Sequence, residues 1–214
     1  MSVLADHAVA RRLETAAAVV FLTGVVAQFA QHTDPTFPLL YFTVDSALLY
    51  GLLALVHALV PAGRVARAAR SLVSALTPAV VFSGLVYATV IAPALNGGAW
   101  FAPGDDAVCR LAQMLLHGVG PALALVLTWA DPAPPPPGRR AAWWLAWPLG
   151  YLVVVTATDV SPYAFLPPGA PEVQVAGVAA VLALVYGGVA WVCITLARAG
   201  RRRIDRVGAS SRLR

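Results

Sequence analysis

The sequence predicts an all-α integral membrane protein, a single domain over residues 1–214 with six transmembrane helices and both termini in the cytosol. Three observations predict it. Of the 214 residues, 59% are hydrophobic and only 12% charged, about half the charged fraction of a soluble domain. Apolar runs close to the ~20 residues needed to cross hydrocarbon recur along the whole chain. The basic residues gather in every second connection, and the carboxylates occupy the others.

The expected spans are residues 15–30, 39–60, 72–92, 107–130, 142–158 and 173–197, followed by a basic tail over 198–214. Arg11 and Arg12 precede the first span, as they would in a signal peptide. No small-x-small cleavage site follows it, so it is expected to be a retained first helix. Arg64, Arg67 and Arg70 lie between spans two and three, and Arg139 and Arg140 between spans four and five. The remaining connections carry Asp34, Asp105, Asp106, Asp159 and Glu172 and no basic residue. An even number of spans with arginine at both ends satisfies the positive-inside rule. The net charge of +5 is therefore a topology signal that also suits anionic headgroups, and no nucleic-acid partner is expected. All fifteen basic residues are arginine, which with so much Ala, Val and Pro suggests a high-GC bacterial genome, and an inner-membrane location is expected.

"DPAPPPPGRR" at residues 131–140 is expected to be a stiff polyproline connector on the cytosolic face. Trp143, Trp144 and Trp147 would form an aromatic belt at the inner interface, and Trp100 and Phe101 would flank the outer one. The two cysteines, Cys109 and Cys193, fall at opposite depths. That argues against a disulfide or a shared metal.

Two stripes of polar groups lie within the apolar spans. In "YFTVDS", Thr43 lies about 6–8 Å and Asp45 about 10 Å below the outer start of span two, at 1.5 Å per residue. Asp45 points about 200° away from Thr43 around the helix. In span four, Arg110, Gln113 and His117 share one face at i, i+3 and i+7. Pro121 has no N–H for the His117 carbonyl, which bends the helix there. A histidine at a kink, with polar groups leading outward, suggests a hydrated pocket open to the outer leaflet. Ionisable groups in a membrane point to function by default. A membrane threonine, in contrast, commonly bonds the carbonyl four residues back, which gives Thr43, Ser46 and Ser74 an ordinary structural role on their own. His57 lies near the cytosolic end and reaches the interface. It is about 13 Å deeper than His117 by helix rise, so the two do not suit axial haem ligation. The chain carries no G-x-S-x-G, H-E-x-x-H, P-loop or C-x-x-C signature.

Taken in order, "YFTVDS", "LLHGVGP", "WPLGY" and "SPYAFLPP" resemble segments of the androgen-induced and androgen-dependent-regulator family of six-helix membrane proteins, as a bacterial relative. The animal members are threonine hydrolases that cleave fatty acid esters of hydroxy fatty acids. The resemblance implies Thr43 as nucleophile, His117 as its general base, a lipid ester substrate, and neither a metal nor an organic cofactor. Arg110, Gln113 and Asp45 complete the candidate set as substrate-binding groups. The resemblance assigns no role to Asp45, and Pro167 and Pro168 stand where the family commonly has an acid after Phe-Leu. The competing expectation is a non-enzymatic lipid-binding or transport protein, which would depend on Arg110 and Asp45 more than on Thr43. A purely structural membrane subunit would tolerate loss of either set. No obligate protein partner is implied.

Overall fold

A computed structural model of the chain describes residues 3–130, 144–158, 160–163 and 165–211, with side chains over the described residues from 9 to 206. The polyproline segment, Arg139, Arg140, Trp143, Asp159, Arg212 and Arg214 lie outside these residues. The described chain is helical, without strands: α1 Val3–Ala30, α2 Phe42–Leu59, α3 Arg64–Asn96, α4 Ala107–Ala130, α5 Ala146–Thr158 and α6 Glu172–Ser211.

Five of these helices, all but α5, are long and apolar enough to cross a membrane. Of the expected fifth span, the described helical part begins at Ala146 and has 13 residues. The first helix begins well before the expected residue 15, so Glu14 falls inside it. The basic tail is helical through Ser211, as a continuation of α6. At 40 residues, α6 is about 60 Å long, twice the hydrocarbon thickness.

Lipid gives helices no hydrophobic reason to associate, so contact depends on close backbone approach and a few polar bonds. Small residues mark those approaches. Gly24 of α1 lies against Leu116 of α4, and Gly120 of α4 lies against Phe21 of α1, where a Cβ would sit 2.5 Å from the ring. Phe21 in turn packs on Tyr50 of α2, ring centroids 4.7 Å apart, at the centre of the first core. A second core of Phe42, Phe82, Tyr186 and Cys193 ties α6 to α2 and α3. Both cysteines are buried and free. Farther along α6, Gly200 seats against the Trp129 carbonyl, and Arg203 lies 4.0 Å over the Trp129 ring.

Of the tryptophans expected to form an inner belt, Trp143 lies outside the described residues, and Trp144 and Trp147 are engaged within the protein. Trp147 donates its indole N–H to the fully buried Ser46 hydroxyl at 2.9 Å, and Trp144 is buried, its carbonyl accepting from Tyr186 Oη at 3.1 Å. A buried indole needs an acceptor, and Ser46 supplies one about 6 Å into α2. The half-buried Trp147 thereby reaches the first turns of α2 with its indole.

His57 also has a partner inside the bundle. Its Nδ1 lies 2.7 Å from Glu14 Oε1, with side chains 18% and 8% exposed. A carboxylate in the first helix is tolerated because the imidazole meets it there.

Candidate active site

Two proline-induced defects shape the site. Pro93 and Pro121 supply no N–H, and each ring crowds the carbonyl four residues earlier. Just before each, the helix widens into a π-turn: Tyr87–Ile91 in α3 and Leu115–Val119 in α4. Ala92 N–H reaches back five residues to the Tyr87 carbonyl, and Gly120 N–H to that of Leu115. Such π-turns gather at functional positions because they re-aim side chains. Here they bring Tyr87 and His117 face to face, stacked with centroids 4.1 Å apart and planes 14° apart. Tyr87 is itself anchored, donating its hydroxyl to the Trp100 carbonyl at 2.6 Å. Across the same helix pair, Gly84 lets α3 approach the freed His117 carbonyl. A Cβ there would lie 2.6 Å from that oxygen.

His117 faces a cavity of about 490 Å³ whose wall also includes Thr43, Gln113, Asp105 and Asn96. Its Nδ1 has no hydrogen-bond partner among the described residues. Gln113 donates weakly to Cys109 Sγ at 3.4 Å, and its Oε1 is also unpartnered.

Thr43 sits in the first turn of α2, which begins after the 3₁₀ turn Pro38–Leu40. The position matters: the residue four back precedes the helix, so the usual carbonyl is not available to its hydroxyl. Thr77, Thr128 and Thr195 all bond four residues back. Thr43 makes no such bond and stands on the cavity wall. Thr43 and His117 thus line one cavity, although no direct hydrogen bond joins them among the described residues. Catalytic hydrogen bonds are often long before substrate arrives.

The start of α2 is held by the segment that follows α5. Phe42 N–H donates to Tyr163 Oη at 3.1 Å, the Tyr163 and Tyr151 hydroxyls are bonded, and Tyr151 Oη–H donates to the Leu40 carbonyl at 2.5 Å. Burial pushes the Tyr163 hydroxyl well above its ordinary pKa, so it stays protonated and able to donate. Just before α2, Tyr41 donates to Asp34 at 2.6 Å, and burial beside that carboxylate pushes it up to about 12. Asp106 caps α4 by accepting from Cys109 N–H at 2.7 Å. It also accepts from His32 N–H and Thr33 Oγ1–H, both at 3.0 Å. Backbone N–H donors hold its carboxyl down at about 2.

The other two candidates stand apart. Arg110 is exposed, its guanidinium 3.5 Å from the Pro103 carbonyl, and lines neither of the cavities next to Thr43. Asp45 also lines neither, and its carboxylate makes no hydrogen bond among the described residues, only its backbone N–H donating to the Tyr41 carbonyl at 3.2 Å. It lies in the first turn of α2, where the helix dipole favours a carboxylate. Sequence reasoning missed Tyr87 and Tyr163. The signals were present: Pro93 lies six residues after Tyr87, and Tyr163 sits within the quoted "SPYAFLPP". No cluster of three or more His, Cys, Asp or Glu side chains suited to a metal ion occurs among the described residues.

Comparison of the chain with protein-family models, with curated proteins and with solved structures finds no match in any of the three.

Proposed function

We propose that this protein is a six-span hydrolase of fatty acyl esters in a bacterial inner membrane, with both termini cytosolic, Thr43 as nucleophile and His117 as base. The single observation that carries the reading is that these two residues, on different helices, line one cavity, with no hydrogen-bond partner for His117 Nδ1 among the described residues. A threonine hydroxyl needs a base to become a nucleophile. In the reaction, Thr43 Oγ1 attacks the acyl carbon and its proton passes to His117. The ester C–O bond then breaks, and His117 returns that proton to the departing alkoxide. Water, deprotonated by the same imidazole, cleaves the acyl-threonine, releasing the fatty acid and restoring both groups. The arginine distribution supports the topology, and the ordered resemblance of "YFTVDS" and "LLHGVGP" to the threonine hydrolases supports the chemistry.

A lipid binder or transporter built around Arg110 and Asp45 has less support, because neither side chain borders the cavity. The test is hydrolysis of 4-methylumbelliferyl acyl esters by the purified protein in detergent, against Thr43→Ala and His117→Ala. Activity lost in both folded variants is the expected result. Turnover that survives Thr43→Ala would refute the assignment.

A further inference from the structure

Thr43 borders two cavities. Besides the one shared with His117, a second, of about 130 Å³, opens among α2, α3, α5 and α6. Ile91, Tyr163 and Phe165 stand with Thr43 in the partition between them. The chambers differ in chemistry. The His117 chamber carries Asp34, Asp105, Asn96 and Gln113 and lies beneath the outer connections. The second chamber contains no charged side chain, and apart from the residues of the partition its wall is mainly Phe82, Leu149, Leu182, Ala183 and similar apolar groups.

Resting on the hydrolase reading above, we propose that the chambers divide the ester at its scissile bond. The acyl chain lies in the apolar chamber, the alcohol portion in the His117 chamber, and Ala183 and Leu182 set the accepted acyl length. The argument is one of proton traffic. The departing alkoxide must take a proton from His117, and the hydrolytic water must give one to it. Both therefore belong on the imidazole side of Thr43. While the acyl group is bonded to Oγ1 it must remain bound as the alcohol leaves and water enters. The chamber without His117 is the one free for it. Burying an acyl chain there gains about 0.8 kcal/mol per CH₂, whereas the charged chamber suits an alcohol and water. Tyr163 and Phe165, in the partition, separate the two parts.

The test uses two ester series: acyl chains from acetyl to palmitoyl on 4-methylumbelliferone, and butyrate esters of alcohols of increasing length, followed by butyrate release. Ala183→Phe fills the apolar chamber, whose 130 Å³ suits about five or six carbons, and should lower the hexanoyl-to-acetyl ratio of kcat/KM by about tenfold or more, the scale on which an apolar pocket discriminates. Leu182→Ala enlarges the chamber and should shift the preferred acyl length upward, so the proposal does not depend on one variant folding. Neither should change the ranking of alcohols. An unchanged acyl profile in folded variants, or a shift in the alcohol series instead, would overturn the division while Thr43-dependent turnover continued. Hydrolysis that persists in Thr43→Ala would remove the underlying reading, and this inference with it.

Discussion

Placing a methyl group on Gly84 sets α3 against the point in α4 that orients His117. The added Cβ would lie 2.6 Å from the His117 carbonyl and 3.1 Å from Pro121 Cγ. The first of these is backbone and cannot rotate away. The helices must part by about 0.4 Å to reach 3.0 Å and about 0.8 Å to reach ordinary contact at 3.4 Å. Overpacking of this kind costs about 1–3 kcal/mol of stability. The effect on chemistry is separate: at roughly 10²-fold per 1 Å of catalytic misplacement, the same shift costs about tenfold in rate. Thermal unfolding in detergent, paired with the second-order rate of fluorophosphonate labelling, reads both. Gly187→Ala is the control, since nothing lies within 4 Å of its Cβ position. It should be neutral or slightly stabilising through helix propensity, by at most about 1 kcal/mol. A Gly84→Ala protein as stable and as reactive as Gly187→Ala would refute the close approach of α3 to the histidine.

Three further outcomes follow from the same structure. Glu14→Ala, which leaves His57 without its 2.7 Å partner, should destabilise the bundle by on the order of 3 kcal/mol. The Glu14→Leu/His57→Leu double variant should lose much less than the two single replacements together, and thermal unfolding showing simple additivity would contradict the pairing. Asp106, held from 3.8 down to about 2 by N–H donors, stabilises the fold above the ordinary carboxylate range. That contribution is lost as pH falls from about 4 through about 2. Asp106→Asn should flatten this part of the unfolding profile; a profile unchanged from wild type would speak against the cap. Arg110→Ala and Asp45→Asn should label with fluorophosphonate at the wild-type rate, because neither side chain borders the cavities beside Thr43. A large loss in either would favour the binding reading.

The membrane class was legible because it rests on composition and on the length of the apolar runs. A defect in α4 at Pro121 was legible too, being a missing N–H four residues after His117. Its partner in α3 was not, since a π-turn at Tyr87 matters only once α3 is known to face α4. Depth along a helix does not reveal which helices touch. That is why the arginine–glutamine–histidine stripe read as one functional face, although Arg110 turns outward to the Pro103 carbonyl. The tie of Trp147 to α2 was hidden for a related reason: an aromatic at the start of an apolar run suggests an interface, and only the Ser46 hydroxyl opposite shows where its indole N–H goes. Glu14 escaped because the apolar window began one residue later, yet the helix and its ion pair extend past that window.

The central claim is tested most directly by locating the covalent adduct. Wild-type protein treated with an alkyl fluorophosphonate and digested should carry the phosphonyl group on Thr43 when its peptides are sequenced by mass spectrometry. His117→Ala should carry it far more slowly, since the hydroxyl loses its base. An adduct on another residue, or labelling of Thr43 at the same rate without His117, would contradict the account.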